Sequence, residues 1–190
     1  MNEALGNVGS TVFYTQPIAS TPADGAASMK DLVGAMNAGK VDVLLILGGN
    51  PVFTSPADLD FAGALAKVDT SIHLGLYYDE TAYQCHWHVP EAHYLESWGD
   101  ARAFDGTVSL MQPLIAPLYD GRQAIEVIAA ANGQAGVKAV DLTRDYWTRA
   151  FQGKTPTSWT LRDREGKPFT AVEQFWRHAL HDGFVAGTSV

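Results

Sequence analysis

The segment that most restricts the fold is Val43-Leu44-Leu45-Ile46-Leu47, an uninterrupted apolar run that empties into Gly48-Gly49-Asn50-Pro51. Apolar residues at every position, without alternation, suit a strand covered on both faces, as in a parallel sheet. Two glycines directly after it let the backbone bend sharply and approach a ligand without Cβ clashes. In an open α/β sheet, the carboxyl end of a strand is where ligands bind. The same four residues also make an ordinary turn, because Gly, Asn and Pro each favour turn geometry for reasons of their own. The loop by itself does not separate a binding site from a connection.

The flanking patterns supply the rest of an α/β unit. Met29, Leu32, Val33 and Met36 fall at i, i+3, i+4 and i+7 and predict a helix over 28–38, with Ser28 and Asp31 as a capping pair and Gly39 past its end. Thr11 to Thr15 reads as a strand from its β-branched and aromatic content. Ser55-Pro56-Ala57-Asp58 opens a second helix over 56–67, with proline in the first turn where its missing N–H costs nothing and Phe61, Ala62 and Leu65 on the inner face. Strands are expected at 42–47, 71–77 and 86–89. This alternation predicts a doubly wound, Rossmann-like α/β domain with a mostly parallel sheet in three layers. The strands at 11–15, 42–47 and 71–76 are expected as parallel neighbours, with both helices packed on them.

Val108 to Met111 adds a candidate strand, and Arg122 to Asn132 an alanine-rich helix closed by Gly133. Gly, Lys, Thr and Pro dominate 152–168, where the signal thins. Val172, Phe175, Trp176, Ala179 and Leu180 form a last helix stopped by Gly183. The expected division is an α/β domain over residues 1–135 and a helical extension over 136–190, packed on the same domain.

At 190 residues the chain suits one domain with a substantial core. Its net charge of −8, with only 13 Lys and Arg and no run among them, excludes a phosphate-backbone partner and disfavours an anionic membrane surface. No apolar stretch approaches the roughly 20 residues needed to span a bilayer, so direct membrane insertion is not expected. The start, Met1-Asn-Glu-Ala-Leu-Gly, has neither the basic beginning nor the apolar centre of a secretory signal. Cys85 is the single cysteine, which excludes a disulfide framework and any four-cysteine cluster or structural zinc site within the chain.

An ordered set follows the Gly-Gly-Asn-Pro loop: Ser55-Pro56-Ala57-Asp58, Asp79-Glu80-Thr81-Ala82, Pro90, Leu95-Glu96 and Gly99. This set resembles the nucleotide-binding domain of the molybdopterin oxidoreductases, whose corresponding run reads Gly-x-Asn-Pro, Glu-Thr-Ala, Ala-Asp-Val-Val-Leu-Pro and Leu-Glu-x-x-Gly. The wording from Cys85 to Arg102 looks closer to one branch, the molybdopterin-like region of the large iron-sulfur subunit of alternative complex III, a quinol:cytochrome c oxidoreductase. The resemblance is dense over 41–121, thinner before it, and beyond 122 rests on Trp147, Trp176 and His181-Asp182-Gly183.

The resemblance implies that Gly48, Gly49, Asn50, Pro51, Glu80 and Thr81 stand where the family holds the guanine end of molybdopterin guanine dinucleotide. Where cofactor-binding members commonly carry an aspartate shortly before Glu-Thr-Ala, this chain has Gly75, which offers no side-chain acceptor. Cys85-His86-Trp87-His88-Val89 replaces the small apolar segment. Both departures imply a crevice that keeps its fold without its ligand, so no cofactor is expected in this chain and no catalytic residue is assigned. The implied setting is the periplasmic face of a bacterial inner membrane, with other respiratory-complex subunits and the iron-sulfur part of the same polypeptide as partners. The rival expectations are a portion of a genuine molybdopterin guanine dinucleotide enzyme, and a free-standing small enzyme using the loop for a phosphate or a metal.

His86, His88 and His93 are the metal candidates, because alternate strand positions 86 and 88 share a face and a His-x-His pair can ligate zinc or copper. Against this, positions 91 and 93 lie past the bend at Pro90, and imidazoles hydrogen-bonded in an aromatic layer fit the same pattern. Cys85 beside His86 and His88 has the makings of a nucleophile but lacks an adjoining oxyanion-hole pattern, and an inert thiol is expected. Asp100 and Arg102 are expected to form an ion pair, and Asp105-Gly106 a hairpin turn. Tyr77, Tyr78, Tyr83, Trp87, Tyr94 and Trp98 either fill a core or mark a partner surface, and their spacing does not distinguish the two.

Overall fold

The computed structural model describes residues 1–14, 24–156 and 159–189. They form two compact units. One consists of Thr21–Ser97 and Ile115–Val137, and the other of Met1–Ser20, Trp98–Leu114 and Lys138–Val190.

The first unit is built on a three-stranded parallel sheet in the order β1 (Val43–Leu47), β2 (Thr70–Gly75), β3 (Trp87–Pro90). Leu44 pairs with Ser71 and Ile46 with His73, while His73 in turn pairs with His88. Because paired residues of a parallel ladder share a face, Leu44, Ile46, Ser71, His73, Gly75 and His88 lie on one side. Leu44 and Ile46 pack against α1 (Gly25–Asn37) and α3 (Phe61–Leu65), whose Val33, Met36, Phe61, Ala64 and Leu65 are buried with Val68. The α/β arrangement with both helices on the sheet is as expected, but both pack on the face of Leu44 and Ile46; β1 is an edge strand whose Val43 and Leu47 stay exposed, so the apolar run is not covered on both faces.

Three local expectations change. The first helix begins a turn early, because the Asp24 carboxylate accepts from the backbone N–H groups of Ala26 and Ala27 at 2.9 and 3.1 Å, so Ser28 lies inside the helix instead of capping it. The second helix is cut to a 3-10 turn at Ala57–Leu59 and α3, because Asp60 adopts a left-handed conformation (φ 46°) and caps α3 by accepting from Gly63 N–H at 3.1 Å. Thr11–Tyr14 is not a strand beside β1: the carbonyl of Asn7 takes the N–H groups of Ser10, Thr11 and Val12, and Val12 makes only an isolated bridge to Val8. Local turns consume the donors a ladder would have used. Thr15 lies outside the described residues.

The expected alanine-rich helix is α5 (Ala124–Ala131), in the first unit. The second unit is an antiparallel sheet of β4 (Gly99–Arg102), β5 (Val108–Met111) and β6 (Phe184–Val185), packed against α6 (Ala139–Phe151) and α7 (Val172–Asp182). Val108–Met111 is thus a strand, but in a separate antiparallel sheet. The hairpin turns at Asp105-Gly106 as expected, with Asp105 accepting from Thr107 N–H at 2.9 Å. No ion pair joins Asp100 to Arg102. Asp100 instead accepts from the Trp147 indole N–H at 2.8 Å, and the Arg102 guanidinium lies over the Trp159 ring at 5.2 Å. Arg144 on α6 makes two bonds, of 2.6 and 2.7 Å, to Glu173 on α7.

Leu65 is 1% exposed in the core of the first unit, whereas Phe53 on α2 (Pro51–Thr54) is 73% exposed. Leu65→Ala is expected to cost about 2–5 kcal/mol, a core truncation plus its cavity, while Phe53→Ala stays within about 0.5 kcal/mol of the parent. Urea midpoints for the two variants check the contrast.

Candidate functional site

At the carboxyl end of β1 the chain turns through Gly48 (φ 68°) and Gly49 (φ 73°), a left-handed pair that side-chain-bearing residues rarely adopt. Gly48 N–H donates to the Leu74 carbonyl at 2.8 Å, which ties the turn to the end of β2. The carbonyl of Asn50 then receives the N–H groups of Phe53 and Thr54 and starts α2, with Pro51 at its first position.

The second part of the site is α4 (Glu80–Gln84), a short helix that the sequence reading left unassigned. Asp79 caps it by accepting from Ala82 N–H at 2.9 Å, and Thr81 and Ala82 are buried in its first turns. Fixed there, Thr81 donates its hydroxyl hydrogen to the Asn50 side-chain oxygen at 2.7 Å and accepts from Val52 N–H at 3.0 Å. The Asn50 side-chain N–H donates to Glu80 at 2.6 Å. The structure therefore brings Gly48, Gly49, Asn50, Pro51, Glu80 and Thr81 together, and the asparagine amide is held at both ends by the chain itself.

Beneath the loop lies a residue that the sequence reading did not single out. His73, 1% exposed, donates its Nε2–H to the Gly49 carbonyl at 3.0 Å. Its Nδ1 lies 3.2 Å from His88 Nδ1 and 4.0 Å from Asp79. A carbonyl only accepts, so a neutral His73 carries its proton on Nε2 and takes the Nδ1–H of His88. Burial, then the neighbouring His73, pushes the His88 imidazole below its ordinary pKa, with Asp79 opposing. The signal for His73 was present in the sequence: it is an imidazole two residues before a glycine on the same strand face.

That glycine is Gly75. A Cβ there would meet His73 Cε1 at 2.5 Å and Nε2 at 3.0 Å, so the imidazole occupies the space any side chain at 75 would need. Glu91 closes the other side. Its N–H bonds to the Gly75 carbonyl at 3.0 Å, and its carboxylate would stand 4.0 Å from a Cβ at Gly48. Burial raises the Glu91 pKa, with His73 partly offsetting it. Glu91 also bridges to Arg122, whose carbonyl accepts from Ala92 N–H at 3.0 Å, a close approach that needs Gly121, where a Cβ would fall 2.9 Å from Ala92 N.

The three metal candidates do separate jobs. His86 Nδ1 accepts from the backbone N–H of the buried Ser71 at 3.1 Å, His88 faces His73, and His93 caps the turn Tyr94–Glu96 by accepting from Leu95 N–H at 3.3 Å. Among the described residues, no three His, Cys, Asp or Glu side chains come within reach of a common ion. The Cys85 thiol is half-buried in the α1–α3 core; burial raises its pKa, against a hydrogen bond with Ser71 that lowers it. Tyr77, Tyr78, Tyr83, Trp87 and Tyr94 are exposed, which corrects the core reading for these five, whereas Trp98 packs half-buried on the core of the second unit.

No family model matches this sequence. A curated relative, the menaquinone reductase molybdopterin-binding-like subunit of Nitratidesulfovibrio vulgaris, is 33% identical over 98 residues, which is 50% of this chain and 14% of the relative. The chain thus spans a small part of that relative's length. Among solved structures, acetylene hydratase from Pelobacter acetylenicus aligns with a TM-score of 0.48 at 18% identity, over 56% of this chain and 16% of that one. The likeness to molybdopterin proteins read from the residues is thus met again in a relative found by comparison.

Two outcomes follow from the buried imidazole. Gly75→Ala forces His73 out of place and is expected to destabilise the chain; the loss should shrink in a His73→Ala background, giving a coupling of about 0.5–3 kcal/mol in a double-mutant cycle of urea midpoints. Additive losses would show that the two positions do not share space. His88 has a lower pKa folded than unfolded, so the unfolded chain binds its proton first as pH falls. Stability is therefore expected to be present above the ordinary imidazole value of about 6.5 and lost as pH drops through the lower folded pKa. His88→Gln should flatten that part of a midpoint-against-pH curve.

Proposed function

We propose that this chain is part of a molybdopterin-oxidoreductase-like subunit of a membrane-associated, quinol-oxidising electron-transfer complex, where it acts as scaffold and its nucleotide crevice is vestigial. The residue resemblance favours the alternative complex III branch, and the quinone chemistry in the relative's name agrees with a quinol-linked setting. On this reading the partners are the other subunits and an iron-sulfur part of the same polypeptide, and the complex lies at the periplasmic face of the membrane. No helix among the described residues is long and apolar enough to cross a bilayer.

The observation that carries the vestigial reading is the His73 imidazole filling the space over Gly75. A guanine edge offers N–H donors and needs an acceptor; Gly75 has no side chain to supply one and its carbonyl is taken by Glu91 N–H, while any replacement at 75 collides with the ring. The Asn50 amide is held by Thr81 and Glu80. The acidic groups around the loop, Asp79, Glu80 and Glu91, oppose phosphate, which binds where N–H groups or cations converge. The residues present do not fit the nucleotide end of the cofactor, and no catalytic step is assigned to this chain.

Calorimetric titration with GMP and GDP tests the reading. No binding is expected at micromolar nucleotide, the level at which affinity reaches about 8 kcal/mol. Micromolar or tighter binding would overturn the vestigial site and establish a nucleotide-holding crevice in its place.

A further inference from the structure

The whole of the formal charge sits on one unit. Thr21–Ser97 with Ile115–Val137 holds twelve Asp and Glu against four Lys and Arg, which is −8; the other unit holds nine of each and is neutral, together giving the −8 of the chain. A charge this one-sided acts on encounter with partners, because summed like charges set the sign of the surrounding field.

The same unit carries a group of exposed apolar side chains at the carboxyl end of its parallel sheet. Phe53 on α2, Leu76, Tyr77 and Tyr78 after β2, and Tyr83 on α4 are 50–77% exposed. Asn50–Glu80 and Val52–Thr81 hydrogen bonds hold α2 against α4, the Tyr78 ring meets His88 edge-on at 5.4 Å, and Leu76 and Tyr77 lie on the short connection that leads from β2 to α4. Glu80 is exposed among them. Rings with an apolar body and a hydrogen-bonding tip, depleted of Lys, have the composition of interface anchors.

We infer that this face docks a protein whose matching surface is basic, with Arg or Lys around an apolar centre. Guanidinium groups would find ring faces and the Glu80 carboxylate there, and cation–π contact over Tyr or Phe adds to the ion pairing. The occupants with the wrong sign are nucleic acid, an anionic lipid surface and a second copy of this unit, each of which meets a net −8 with negative charge of its own. The inference deepens the scaffold reading by naming the chemistry of the partner. It fails separately from that reading, because nucleotide titration reports on the crevice and not on this face.

The test places the photo-crosslinking residue p-benzoylphenylalanine at position 53 or 83, one at a time, in the protein made in its own cells. Lys30, exposed on α1, serves as the control position. Crosslinked chains are identified by mass spectrometry, and circular dichroism confirms that each labelled protein is folded. Both positions are expected to capture the same protein, with a pI above about 9. When the lysed cells are irradiated instead, yield should fall at least tenfold between about 0.1 M and 1 M salt, where the screening length drops from about 10 to 3 Å. Capture of a second copy, of an acidic or neutral protein, equal capture from Lys30, salt-independent yield, or no crosslink at all would overturn the inference.

Discussion

A single imidazole organises the carboxyl end of the parallel sheet. His73 points along β2 toward Gly75, holds the Gly49 carbonyl from below and meets His88 on the neighbouring strand. Each of these contacts fixes something else. The bond to Gly49 sets the turn after β1, that turn places Asn50, and Asn50 in turn receives Thr81 from α4. A buried polar side chain is costly unless its hydrogen bonds are made, and here the loop supplies the partners, so the loop conformation and the burial of His73 depend on one another.

The same fixed loop lets the side chains of Asn50 and Thr81 satisfy one another. The Asn50 amide has Thr81 on its oxygen and Glu80 on its nitrogen. Glu91 stands beside Gly48 with its pKa raised by burial. The Gly48 N–H and the Asn50 amide are spent within the chain, and the carboxylates of Asp79, Glu80 and Glu91 gather around the loop. The lowered pKa of His88 has the same origin, since a second imidazole and burial both oppose a positive charge at that point.

The two units differ as much in electrostatics as in architecture. The antiparallel unit balances its charges, and several are paired, as Arg144 with Glu173, Arg149 with Asp145 and Arg164 with Asp182. The parallel unit leaves its acidic excess in place and exposes tyrosines beside it. Core filling explains neither property, since exposed rings stabilise little by burial and like charges repel within the unit.

Much of the α/β unit was legible in the sequence because its signals are local and strong. The five-residue apolar run, the 3.6-residue period at Met29 to Met36 and the Gly-Gly-Asn-Pro turn gave β1, α1 and the loop. Within the helical extension expected over 136–190, α6 was not legible as an element of its own: its buried positions are Ala139, Thr143, Trp147 and Ala150, a stripe too small and too polar to read as apolar, with the Thr143 hydroxyl bonded back to Ala139. The strand expected at 11–15 had the right residue types, yet its donors went to the Asn7 carbonyl. Sequence alone also determined that Gly75 offers no side-chain acceptor. Only the tertiary structure decided why: a side chain two residues away on the same face of β2 fills that volume, and whether a ring leans over its neighbour or away from it depends on what the loop above offers it to bond.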